Sequence, residues 1–159
     1  SPTCTPVDRK TCEKLAELAG INIEEFAHRM FEASSSLQSK TAEEICYQDF
    51  KIFSNDGYSF GVSQVTSMDQ DELDNIRAKV EPSLETVMRS QGLGMMFLMM
   101  TNIVEASTEL LCHGEMAEET ARDAFNVPED HEKIVLRGIV SRKKQFLPTF
   151  VEALQELEQ

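Results

Sequence analysis

The run Met95-Met96-Phe97-Leu98-Met99-Met100 constrains this chain more than any other stretch, as the longest uninterrupted apolar run in 159 residues. A bilayer-spanning helix needs ~20 apolar residues, so no segment here spans a membrane. Gly92 and Gly94 precede the run and Thr101-Asn102 follow it, which leaves room for a strand rather than a helix. A strand that is apolar at every position must be covered on both faces, so it belongs at the centre of a sheet with helices on either side. Its methionines read as adaptable core filling.

The rest of the chain supplies those partners. Thr5-Pro6-Val7-Asp8 carries the chemistry of a helix start, with Cys12, Leu15, Leu18 and Ala19 as an apolar face and Gly20 as the stop. Asn22 opens a second helix, in which Ile23, Phe26, Ala27, Met30 and Phe31 repeat with helical period until Ser34-Ser35-Ser36. Thr41-Ala42-Glu43-Glu44 starts a short third one. Phe50, Ile52 and Phe53 read as a strand, and Tyr58, Phe60 and Val62 as another, joined by the hairpin turn Ser54-Asn55-Asp56-Gly57. Leu73, Ile76, Val80, Leu84, Val87 and Met88 return to helical spacing, with Pro82 set to kink or divide the helix. Thr108–Cys112 reads as a strand, Met116–Phe125 as a helix and Ile134–Val140 as a last strand interrupted by Gly138. Leu147, Phe150, Val151, Ala153, Leu154 and Leu157 mark a final amphipathic helix. No repeat or linker divides the chain. The expectation is one α/β domain over residues 1–159, with a mixed sheet of about five strands flanked by helices.

Charge narrows the partners. With 28 acids against 15 Lys and Arg the net charge is −13, a field that repels nucleic acid and anionic membranes. Cysteines 4, 12, 46 and 112 match neither a metal pair nor a compact disulfide framework. They read as reduced thiols of a cytoplasmic protein, and no secretory signal opens the chain. His28, His113 and His131 are scattered, so no metal site is expected from this chain alone. Glu43, Glu44, Asp69 and Asp71 are most simply helix caps and solvated surface.

An anionic ligand would therefore need a local cationic cluster. Arg137, Arg142, Lys143 and Lys144 place four of the fifteen cations within eight residues, at the junction of an apolar strand and an amphipathic helix. Ligands of open α/β sheets collect beyond the carboxyl ends of strands, where helix N-termini attract anions. Cations in a first helical turn oppose the helix dipole unless an anion joins them. Arginine can grip phosphate oxygens bidentately and lysine supplies a point charge. The physical reading is a small polyphosphate site; a solvated basic patch balancing an acidic surface is the alternative. Lys40, just before a helix, poses the same dipole conflict on a smaller scale.

The segment Val140-Ser141-Arg142-Lys143-Lys144-Gln145-Phe146-Leu147-Pro148 resembles the signature near the carboxyl terminus of family II, manganese-dependent inorganic pyrophosphatases. Leu18-Ala19-Gly20, Ser39-Lys40-Thr41-Ala42-Glu43-Glu44, Asp49–Phe53, Gln64-Val65 and Ala124–Val127 resemble the same family's carboxyl-terminal, DHH-associated domain, in the same order. Phe146-Leu147 stands where smaller β-branched residues are common. The resemblance implies that Arg142, Lys143 and Lys40 bind pyrophosphate, with Lys144 and Gln145 supporting them. It also implies an amino-terminal Asp-His-His domain, absent from this chain, that holds manganese. Asp130-His131-Glu132 is the nearest approach to that signature here and lacks the second histidine. Metal ions would activate water and neutralise the leaving phosphate, so the isolated chain is expected to be inactive and to carry no catalytic residue of its own. The family further implies a homodimer associating largely through the missing domain. The opening serine fits an excised piece of a longer protein. Other readings are half of a related phosphohydrolase acting on polyphosphate or nucleotide phosphodiesters, and a free-standing phosphate-binding or interaction module.

Overall fold

In β3 (Met95–Asn102) all eight residues are buried, and their alternation divides the core in two. The computed structural model describes residues 39–157, together with Glu24, Glu25, Ala27, His28 and Leu37. The helix expected over 5–20 lies outside the described residues. Of the second, Glu24, Glu25, Ala27 and His28 are helical.

The sheet has five strands in the order β1-β2-β3-β4-β5: β1 (Lys51–Asn55), β2 (Tyr58–Ser67), β3, β4 (Ser107–His113) and β5 (Ile134–Arg137). β2 and β3 run parallel, while the β1–β2, β3–β4 and β4–β5 pairs are antiparallel. The mixed sheet expected from the sequence is borne out. Asp56 and Gly57, with φ of 50° and 83°, join β1 to β2 in the two-residue turn that positive-φ residues permit. The parallel step from β2 to β3 crosses over through α2 (Gln70–Val80) and α3 (Ser83–Ser90). Pro82 lies between them at φ −66°, dividing the helix as its missing N–H requires.

Met96, Leu98 and Met100 point to one layer, with Val65 and Leu111, against Ile45 and Cys46 of α1 (Ala42–Tyr47) and the buried faces of α2 and α3. Met95, Phe97 and Met99 point to the other, with Phe60, Val62, Leu110 and Leu136. There they meet Ala117 and Ala121 of α4 (Ala117–Phe125) and Phe150 and Leu154 of α5 (Leu147–Leu157). The period of two thus sends Met96, Leu98 and Met100 to α1–α3, and Met95, Phe97 and Met99 to α4 and α5.

The last strand is shorter than its sequence pattern. β5 ends at Arg137, and Gly138, at φ 80°, turns the chain and donates its N–H to the Ala106 carbonyl at 2.7 Å. Ile139 and Val140 continue the apolar run but lie outside the ladder. Cys46 and Cys112 are free thiols; burial pushes Cys46 up to about 11 and raises Cys112 further. Cys4 and Cys12 lie outside the described residues. Among the described residues no helix is long and apolar enough to cross a membrane.

Candidate anion-binding site

A ladder of polar side chains roots the segment after β5 on the sheet. Gln64 donates from Nε2 to Thr101 Oγ1 at 3.0 Å and to the Val140 carbonyl at 2.9 Å. Thr101 and Thr108 share a hydrogen bond of 2.8 Å, and Thr108 Oγ1 donates to the Ile139 carbonyl at 2.6 Å. Gln64 and Thr101 sit towards the carboxyl ends of the parallel pair β2 and β3, where α/β sheets gather their ligands.

From that anchor the chain enters a π turn, Arg142–Phe146, continuous with α5. Phe146 donates its N–H to the Ser141 carbonyl at 3.0 Å, the wider i→i+5 step. Turns of this kind recur at functional sites. Ser141 is the N-cap, its Oγ accepting from the Lys144 N–H at 3.1 Å. Gln145 reaches back: Oε1 accepts from the N–H groups of Val140 and Ser141 at 2.8 and 2.9 Å, and Nε2 donates to the Gly138 carbonyl at 2.8 Å. Phe146 is fully buried among Phe97, Phe125 and Phe150. The turn is held by its cap, by Gln145 and by an aromatic anchor, and it contains no acidic residue.

The sequence-expected residues divide sharply. Lys143 and Lys144 are exposed. Gln145 is half-buried and its side chain is spent on the backbone of residues 138–141. Arg142 is buried. Its Nη1 donates to the carbonyls of Asp49 and, at 2.9 Å, Val62, and Nη2 donates to Asp49 Oδ1 at 2.9 Å. Lys40 stands apart, at the start of α1, whereas Asp49 follows its end. Its N–H reaches the Leu37 carbonyl at 3.3 Å and its own carbonyl accepts from Lys79 Nζ.

Thr41 and Glu44 form a reciprocal capping box on α1. Glu44 Oε1 accepts from the Thr41 N–H at 3.0 Å, and that bond holds its carboxyl below the usual range. The helix start behind Lys40 is thus already met by an acid.

Two residues with a part in the site carry no role in the sequence reading. Asp49 is the partner of Arg142, and Gln64 holds Val140. Gln64 had a signal in the resemblance of Gln64-Val65 to the family, which named no role for it. Asp49, one acid among 28, lay in the resembling segment Asp49–Phe53, but nothing there linked it to Arg142. A cavity of about 770 Å³ opens elsewhere, walled by Glu118, Glu119, Asp123 and Glu129 among others, and that acidic lining repels anions. Among the described residues no group of three or more His, Cys, Asp or Glu is arranged to hold a metal ion.

Residues 28–153 match the DHHA2 domain. The chain belongs to the DHHA2 family. A relative named as a cobalt-dependent inorganic pyrophosphatase, from Clostridium perfringens, is 40% identical over 154 residues, covering 97% of this chain and 28% of the relative. A Bacillus velezensis protein that carries the name of a manganese-dependent inorganic pyrophosphatase is 33% identical, over 98% of this chain and 50% of its own length. A crystal structure described as a family II inorganic pyrophosphatase of Methanococcus jannaschii superposes with a TM-score of 0.72 at 35% identity. It takes in 98% of this chain and 50% of that one. The DHHA2 chain thus spans half or less of the relatives it matches, and the resemblance carried by Ser141-Arg142-Lys143-Lys144-Gln145 is borne out.

Proposed function

We propose that this DHHA2 chain is the substrate-binding half of a metal-dependent inorganic pyrophosphatase, cleaving pyrophosphate into two phosphates together with an amino-terminal DHH domain. The observation that carries the reading is the π turn. It presents Lys143 and Lys144 to solvent from a sheet-rooted helix start without an acid in its first turn. In a chain of net charge −13, such a point gathers anions against the global field.

Lys143 is the residue assigned to the phosphoryl oxygens, as an exposed point charge at the positive end of a helix. Arg142 serves with whatever donors its three structural bonds leave over. Lys40 reaches the substrate from the far end of α1, and Lys144 adds to the local field. Closure of the two halves would exclude water and strengthen each contact. Manganese or cobalt, present in the relatives' names, finds no donor set among the described residues; on this reading the DHH half holds it. The same reading implies a homodimer formed largely through that half, and a cytoplasmic protein.

The test is manganese-dependent phosphate release from pyrophosphate by the full-length protein, beside the 159-residue chain and with tripolyphosphate as competitor substrate. Activity in the full-length protein alone, with pyrophosphate preferred, supports the reading. Activity in the short chain, or preference for the longer substrate, overturns it.

A further inference from the structure

We propose that Asp49 is a positioning residue for the substrate, acting by fixing the guanidinium of Arg142 at the edge of the basic turn; the inference rests on the pyrophosphatase reading above. Asp49 lies between α1 and β1, 93 residues before its partner. It has φ 51°, a left-handed conformation that aspartate and asparagine tolerate better than other residues with a Cβ. In this conformation one residue offers Arg142 both its carbonyl and its carboxylate. Val62, the third acceptor, pairs with Lys51, the first residue of β1. Arg142 therefore closes the open end of the β1–β2 ladder, and the basic turn is tied to the hairpin through it.

Exposure shows which member of the pair depends on the other. The side chain of Arg142 is 8% exposed and that of Asp49 54%. Water can hydrate the carboxylate without the arginine, but the guanidinium cannot stay where it is without protein acceptors. That asymmetry suits a fixed cation rather than a mobile one. Of the five guanidinium N–H groups, three are engaged by Asp49 and Val62. The Nε–H and one Nη2–H have no acceptor among the described residues. They lie on one edge of the guanidinium plane, the edge that grips two oxygens of a single phosphoryl group. Asp49 thus decides which edge of Arg142 faces the ligand, while its negative charge offsets part of the cation's pull on any anion. Binding by Arg142 becomes a matter of geometry, and non-specific attraction is left to Lys143 and Lys144.

The experiment is steady-state pyrophosphate hydrolysis by the full-length protein carrying Asp49→Gly, Asp49→Asn, Arg142→Ala and the two double variants. Glycine is at ease at positive φ, so Asp49→Gly removes the carboxylate while keeping the backbone. The expected result is a KM raised ~10-fold with kcat nearly unchanged, a loss of binding rather than of chemistry. Asp49→Asn keeps an acceptor for Nη2 and raises KM only ~3-fold; it decides the matter if the glycine variant does not fold. In the Arg142→Ala background neither change at position 49 has a further effect, the non-additivity of residues acting as one unit. An unmoved KM in both variants, or additive effects with Arg142→Ala, overturns the role of Asp49 and leaves the pyrophosphatase reading standing. A wild-type protein that does not release phosphate from pyrophosphate overturns that reading itself, and this inference with it.

Discussion

Two helix starts in this molecule carry lysines, and they differ in what already neutralises them. Behind Lys40, α1 is only six residues long and has Glu43 and Glu44 in its first turn, with Glu44 closing a capping box on Thr41. Behind Lys143, the π turn runs on into the eleven residues of α5 and has no acid in its first turn. The dipole argument that made both positions candidates therefore applies to them unequally. At Lys40 the conflict is resolved within the helix. At Lys143 it is left open, while the turn around it is held by Ser141, Gln145 and Phe146. A helix start that is rigid yet electrostatically unsatisfied is the one suited to binding an anion without reorganising.

The sharpest test of the contrast is Lys143→Ala in the full-length protein. Pyrophosphate turnover should fall about 100-fold, the scale of losing one charge-stabilising donor, with metal binding unchanged. Lys40→Ala should lower it by less than about fivefold, as for an exposed ion pair worth roughly 0.2–1 kcal/mol. Equal losses, or the reverse order, would erase the distinction.

That contrast was only partly legible in the sequence. β3 announced itself because the six apolar residues Met95–Met100 between turn signals have few alternatives, and the Asp56-Gly57 hairpin because its turn chemistry is local. β5 was read too long: Ile139 and Val140 are apolar, but Gly138 swings them off the ladder and onto Gln64 and Thr108. The clustering of Arg142 with Lys143 and Lys144 was visible, whereas the burial of Arg142 was not. Its partner lies 93 residues away, and no pattern in one sequence links an aspartate to an arginine across that distance. The double reach of Gln145 likewise depends on a π turn, which hydrophobic period does not encode.

Rigidity of the turn can be tested apart from its charge. Gln145→Ala strands the N–H groups of Val140 and Ser141 and the Gly138 carbonyl, and should destabilise the chain by about 1–3 kcal/mol, the cost of unsatisfied partly buried groups. Gln145→Glu keeps both acceptor bonds and should recover most of that in urea unfolding. A change in stability below about 0.5 kcal/mol for the alanine variant would mean that Ser141 and Phe146 hold the turn unaided.

The smallest effect concerns the satisfied helix start. The Glu44 carboxyl is lowered chiefly by its bond from the Thr41 main chain, with further help from the Thr41 side chain and, more weakly, Lys40 and Lys79. A carboxyl whose folded value lies below its unfolded one stabilises the native state above the unfolded value of 4.5 and loses that contribution as pH falls through the folded value. Glu44→Gln keeps an oxygen for the Thr41 N–H but cannot titrate. Wild type should therefore be the more stable of the two at neutral pH, and the gap should close as the solution is acidified below 4.5. A gap that persists in acid would show that shape, not charge, decides the cap. The first turn of α1 would then be less neutralised than its two acids suggest, and Lys40 would regain standing as an anion contact equal to Lys143.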